Sequence, residues 1–333
     1  MSKTIVITGV TGAQGGSVAR TFLQLPGWRV RGITRNPSGA AAKTLASDGV
    51  EIVQGDLDDR KSLISAFQGA TVIFSNTDFF THIFHAMSPD ANLPAGKTPN
   101  KYAFEREVEQ GLNISDAAED SSVLKTLERF VFSSLSDAQK LSGGKYKTVY
   151  HFDSKAETVR LMRERCLSVA ARMSTVQPGH YTTNWRQFLK LAPQKQADGS
   201  FLMSRTAPPD FRMPFVVVDR DMGAFVKALV DMPPGRDLLA VSEYMTFPEF
   251  AEVWGRVHGV KTTYKQISNE ELFEGVPLGF MEEIRDSFDF IHEFSFTGGD
   301  TNVLEPSQLD FKIPVTSMEE YIRSEDWSPV LNA

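Results

Sequence analysis

The sequence predicts a doubly wound α/β fold, a parallel sheet covered by helices on both faces. Three observations carry that expectation. Short apolar, β-branched runs alternate with helical patterns through the first 180 residues. A glycine-rich turn joins the first run to the first helical pattern. A chain of 333 residues, 41% hydrophobic and 23% charged, is long enough to bury such a sheet and enclose a ligand. Strand–helix–strand repeats at this spacing require right-handed crossovers, which build a Rossmann-type sheet.

Lys3–Thr8 (KTIVIT) reads as a buried strand, broken by Gly9–Gly16, and Ser17–Leu25 carries a helical stripe of Val18, Phe22 and Leu25. Arg29–Thr34 and Val50–Gln54 read as the next strands, with a helix over Arg60–Phe67. Thr71–Asn76 is a fourth strand, Phe104–Ala118 a long helix and Arg129–Ser133 a fifth strand. Phe152–Arg165 reads as a helix and Leu167–Ser174 as a sixth strand. After Pro178 the rhythm changes: a strand over Phe215–Val218, helices over Asp219–Val230 and Phe247–His258, and a strand over Thr262–Ile267. Asp78–Lys101 and Pro193–Pro214 read as long loops, a length often used for lids and binding segments. The division expected is a dinucleotide-binding domain over 1–180 and a smaller mixed α/β lobe over 181–333 on the carboxyl edge of the sheet.

A net charge of −7 offers no overall surface for nucleic acid or membrane. The lone cysteine, Cys166, excludes an intrachain disulfide. The six histidines are scattered, and His82 and His85 lack a third ligand at metal spacing, so no metal site is expected. The N-terminus runs straight into a strand, and no stretch matches a membrane span, so a soluble, cytoplasmic protein is expected, with the nucleus also open. Oligomeric state is not legible.

Gly9, Gly12 and Gly15 form a G-x-x-G-x-x-G turn between strand and helix. Gly9 allows the tight turn, Gly12 the approach of a pyrophosphate, and Gly15 close packing of helix on strand. Thr11 and Gln14 belong to the same phosphate cradle, and the helix start offers free amides. Arg35 stands where an NAD-selective site would carry an acid, and its forked cation suits a 2′-phosphate, so NADP(H) is the expected cofactor. Asp56 and Leu57 follow the third strand; Asp56 either accepts from the adenine amine while Leu57 packs on the ring, or caps the next helix. Asn76 and Thr77 end the fourth strand and lie along the cofactor under the carboxyl-end rule, and Pro178 with Gly179 lets backbone pass near the nicotinamide. His180, Tyr181 and Asn184 follow toward the same mouth, with Tyr181 either a substrate contact or a packing aromatic.

The stretches GVTGAQGGSVAR, GITRNP, VQGDLDD, HFDSKAE, QPGHYTTNW and SMEEYIRSEDW together resemble the NmrA-like family. Its members are atypical within the short-chain dehydrogenase/reductase superfamily, and the resemblance spans about residues 1–330. The family includes NADP(H)-sensing regulators, with true reductases of the isoflavone-reductase type among its relatives. The resemblance implies an acid tyrosine four residues before Lys155, a position His151 occupies here. It also implies a serine after the fifth strand, where Leu135 stands between Ser134 and Ser136. Tyr150 lies one residue from the acid position, which turns a helical side chain by about 100°.

Two readings follow, and the first is preferred on sequence. The altered triad favours an NADP(H)-binding, redox-responsive regulator acting through a protein partner. Retained Lys155 favours an NADPH-dependent reductase of an apolar carbonyl, imine or enone, with Lys155 or His151 supplying the proton. For that second reading, Phe79, Phe80, Phe84, Phe273, Phe280, Phe288, Phe290, Phe294 and Phe296 either line an apolar pocket or form lobe core. NADP(H) is expected to bind at least about tenfold tighter than NAD(H), since losing a charge-assisted Arg35–phosphate pair costs more than ~1.4 kcal/mol. Titrating wild type and Arg35→Ala with both cofactors checks this; equal affinities in the wild type would contradict it.

Overall fold

The structure is a computed structural model and describes residues 2–333. Its elements run β1 Lys3–Ile7, α1 Ala13–Leu23, β2 Trp28–Thr34, α2 Ala40–Ser47, β3 Glu51–Gln54, α3 Arg60–Phe67, β4 Val72–Ser75, α4 Phe79–Ala86, α5 Pro99–Ala118, α6 Ser121–Leu124, β5 Arg129–Ser133, α7 Ala138–Leu141, α8 Tyr150–Arg165, α9 Leu167–Ala170 and β6 Met173–Pro178. There follow β7 His180–Tyr181, β8 Gln194–Lys195, β9 Phe201–Arg205, β10 Met213–Val216, α10 Val218–Asp231, β11 Asp237–Ala240, β12 Glu243–Met245, α11 Phe247–His258, β13 Thr262–Gln266, α12 Asn269–Leu272, α13 Leu278–Phe294, β14 Val303–Leu304, α14 Met318–Ser324 and α15 Ser328–Leu331.

Eight strands form one sheet in the order β14-β11-β6-β5-β4-β1-β2-β3, and every neighbouring pair in it is parallel. Alternation along β1 sends Ile5 and Ile7 to one face, where Val18 and Phe22 of α1 and Phe225 and Leu229 of α10 cover them. Val6 goes to the other face, among Leu63, Phe67, Ile114 and Met162 from α3, α5 and α8. This is the doubly wound fold expected. The strand order reverses between β4 and β1, the switch point where ligands of such sheets bind. Two strands of the sheet, β11 and β14, and the covering helix α10 come from beyond residue 180. Two smaller sheets, β12-β10-β7 and β13-β9-β8, complete the carboxyl side. Among the described residues no helix is long and apolar enough to cross a membrane.

Three sequence expectations need correction. Leu167–Ser174 is not a strand: Leu167–Ala170 is one helical turn, and the strand is Met173–Pro178, in register with β5 through Phe130 and Met173. Glu119 accepts from Ser168 N and Val169 N, which holds that turn and delays the strand. Asp78–Lys101 is not wholly loop, because the Asp78 carboxylate accepts from Phe80 N and Thr81 N and so starts α4. Pro193–Pro214 is not a loop either, since it holds the antiparallel pair β8–β9, with β9 also paired to β13.

Helices α1 and α10 touch through a glycine. A Cβ on Gly223 would lie 2.0 Å from Thr21 Oγ1 and 2.6 Å from Ser17 O. Gly223 N donates to Ser17 Oγ at 3.0 Å, which fixes the crossing. Gly223→Ala is therefore expected to destabilise the fold by about 1–3 kcal/mol through overpacking, read as a lower denaturant midpoint with unchanged slope.

Candidate active site

The glycine turn has the geometry of a phosphate cradle. Gly9 has φ +59°, a conformation that favours glycine, and a Cβ there would lie 2.6 Å from Asn76 Oδ1. A Cβ on Gly15 would lie 2.3 Å from Gly9 O, so α1 can sit this close to β1 only with glycine. No side chain caps α1, which leaves the amides of its first turn open beside exposed Thr11 and Gly12. Gln14 is turned inward, and its Nε2 donates to Tyr181 OH at 2.7 Å. Burial pushes the Tyr181 phenol well above its ordinary range, so it is a neutral partner of this turn.

Asn76 is bound to the same turn, its N donating to Thr8 Oγ1 at 3.1 Å. Arg35 is exposed at the end of β2 and has no ion pair or side-chain hydrogen bond to any described residue. Asp56 does not cap α3. That cap is Asp59, which accepts from Lys61 N and Ser62 N, while Asp56 Oδ1 accepts from Asp58 N at 3.0 Å in a local turn. Leu57 packs against the core under α3 and α5. Pro178 ends β6 opposite Ala240, and the close approach Gly179 permits is to Pro214 O, 2.3 Å from where its Cβ would be.

His151 and Lys155 stand four residues apart in α8 and share its inner face. Each meets a carboxylate from another helix. Glu107 of α5 has no solvent exposure; its Oε1 pairs with Lys155 Nζ and accepts from Thr77 Oγ1 at 2.7 Å, and its Oε2 accepts from Ser154 Oγ. Lys155 Nζ also donates to Thr77 O and Thr77 Oγ1, both at 3.3 Å. The expected pair Thr77 and Lys155 is thus brought together, with Glu107 as the third member.

Glu283 of α13 is likewise fully buried. Its Oε1 lies 2.6 Å from His151 Nδ1 and accepts from His151 N at 2.8 Å. Val149 supplies no side-chain cap to α8, so Glu283 serves as one from across the fold. Asn100 Nδ2 donates to Glu283 Oε2 at 3.1 Å and holds the carboxylate in place. His151 Nε2 has no hydrogen bond to a described residue, and the ring packs beside Phe152, Phe80 and Phe79 with centroids 4.8, 5.3 and 6.1 Å away. Between the two sites in sequence, burial raises the Asp153 carboxyl to about 7, although Gln139 N donates to it.

The flanking serines do not replace the missing hydroxyl. Ser136 Oγ donates to Gln177 Oε1 at 2.8 Å, and Ser134 Oγ to Leu135 O at 3.3 Å. Tyr150 packs edge-on against Phe104, and burial followed by Glu283 raises its phenol. The phenylalanines divide. Phe79, Phe80, Phe84 and Phe280 gather near His151 with Phe188. Phe290, Phe294 and Phe296 belong to the lobe core or pack against it, while Phe273 stacks on Phe288.

Sequence reasoning missed Glu107 and Glu283. Glu107 did carry a signal: it shares the helix face of Ala103, Gly111 and Ile114, all buried, where an acid needs a partner. Glu283 carried the same kind of signal on a helix the sequence reading did not identify, sharing a face with buried Phe280, Ser287 and Phe290.

A model of the NmrA-like family matches residues 1–322. The NmrA-like family domain-containing oxidoreductase FrzB of Cladobotryum sp. is 28% identical over 327 residues, covering 93% of this chain and 89% of that one. NmrA, a negative transcriptional regulator solved in complex with NADP, superposes with a TM-score of 0.69 at 20% identity, covering 97% of this chain and 95% of that one. The NADPH-dependent quinone oxidoreductase QOR2 of Escherichia coli, solved with NADPH, gives a TM-score of 0.65 at 21% identity over 96% of this chain and 98% of its own. Both structures share the fold described above, and the sequence match over nearly the whole chain places this protein in the NmrA-like family.

Proposed function

We propose that this protein is an NADP(H)-dependent oxidoreductase of small apolar substrates, with His151 as the proton-carrying residue. The observation that carries the reading is the buried Glu283 at 2.6 Å from His151 Nδ1, four residues before Lys155. A carboxylate there holds the proton on Nδ1 and leaves Nε2 for exchange. The residues fit the dinucleotide: the Gly9 and Gly15 positions admit no Cβ, and Arg35 is a free cation at the end of β2. When bound, NADPH supplies the hydride. Gly12, Thr11 and the first amides of α1 would hold the diphosphate, and Arg35 the 2′-phosphate. Lys155, positioned by Thr77 and Glu107, would hold the ribose. The ring cluster of Phe79, Phe80 and Phe280 supplies a dry, apolar face beside His151, suited to a carbonyl, imine or enone on an apolar frame.

The regulator reading retains one supporting observation: Leu135 offers no hydroxyl, and the serines beside it bond elsewhere. In that reading the His151–Glu283 pair only caps α8 and ties α13 to it. The two readings separate in an NADPH-oxidation screen against small aromatic carbonyls, imines and enones. Turnover is expected, with His151→Phe and Glu283→Gln each lowering kcat about 100-fold while NADPH affinity stays near wild type. Lys155→Ala is expected to weaken NADPH binding instead. NADPH binding without turnover of any of these compounds would return the case to the regulator, and full activity in His151→Phe would remove His151 from the chemistry.

A further inference from the structure

A second polar site lies where β7, β9, β10 and α11 meet. Arg205, at the end of β9, is only 7% exposed. Its Nη1 donates to Ser204 O at 2.7 Å and its Nη2 to Leu191 O, while Nε has no partner. The guanidinium lies over the Phe247 ring, 4.9 Å from its centroid. No carboxylate among the described residues lies within ion-pair distance. Burial draws the group down to about 10, so it remains a cation at neutral pH. A buried cation ordinarily has a counter-charge, because desolvation is too costly otherwise.

Arg205 lines a cavity of about 20 Å³ together with His180, Thr182, Asn184, Phe215 and Phe247, and no acid is among the lining residues. Burial, and then the charge of Arg205, lower His180 to about 3, so its ring is neutral and keeps one N–H. Thr182 Oγ1 is buried without a partner, and the Asn184 amide makes no side-chain hydrogen bond to a described residue. The site therefore combines a lone cation, neutral donors and aromatic walls.

We infer that this cavity binds a small monovalent anion of halide or carboxylate size. Its volume admits one or two water-sized groups. The anion would neutralise Arg205 and join the lobe elements β7, β9 and α11 around one charge. The inference concerns a site apart from α8 and does not depend on the oxidoreductase reading.

The test uses the full chain in halide-free buffer with three salts at equal ionic strength: sodium bromide, sodium formate and sodium gluconate, whose anion is too large to enter. Thermal midpoints are expected to rise saturably by about 3 °C in bromide or formate relative to gluconate. Arg205→Met should lose that response, and Arg212→Met, at an exposed arginine paired with Glu249, should keep it. Crystals soaked in bromide should show an anomalous peak in the cavity beside Arg205. A response to bromide identifies a free inorganic anion as sufficient; a response confined to formate, with formate density in the cavity, identifies a small carboxylate. If Arg205→Met does not fold, the soaked wild-type crystals decide. Three superimposed melting curves together with a cavity empty of both anions would overturn the inference.

Discussion

A carboxylate removed from water must find cations or hydrogen-bond donors, and Glu107 and Glu283 both find them on the inner face of α8. The rest of the candidate site follows from that constraint. Glu107 draws in Lys155, Thr77 and Ser154, and so ties the end of β4 to α5 and α8. Glu283 binds the ring and backbone of His151 and so ties α13 to the start of α8. Removing one partner would leave a buried charge uncompensated, so each pair sets geometry more than it adds stability.

Under the proposed function, the two pairs would separate the duties that a tyrosine and lysine share in ordinary relatives. Lys155 is neutralised and aimed by one acid, next to the residues ending β4. His151 is oriented by the other acid, beside phenylalanine rings. A helix spacing of four residues keeps both groups on one face while their partners arrive from opposite sides of the chain. Carbonyl or imine chemistry needs a proton near a hydride acceptor, and under the proposed function His151 would provide one without the usual phenol. Because the carboxylate bound to His151 sits on α13, the geometry of His151 depends on how the C-terminal segment packs as well as on the parallel sheet.

The same logic runs in reverse at Arg205. There the buried charge has backbone carbonyls and an aromatic face but no acid. Glu107 and Glu283 meet Lys155 and His151 at α8, whereas Arg205 at β9 meets no acid. Among the described residues Arg205 is the one buried lysine or arginine, and it has no carboxylate partner.

Much was legible from the chain alone. Alternating strands and helices determined the doubly wound sheet, because period and spacing are local and crossovers have one hand. The glycine turn was legible because only glycine fits at Gly9 and Gly15, a steric requirement that the sequence records directly. His151 and Lys155 were placed on one helix face by spacing alone. Tertiary structure decided the rest. It converted two presumed loops into a helix and a hairpin, because one capping carboxylate and a strand partner about 60 residues away set those segments. It also supplied Glu107 and Glu283, whose significance lies in burial and in partners between 30 and 183 residues distant. Local pattern carries the backbone; the pairing of buried charges is a long-range property, and only the folded chain brings those groups within reach of one another.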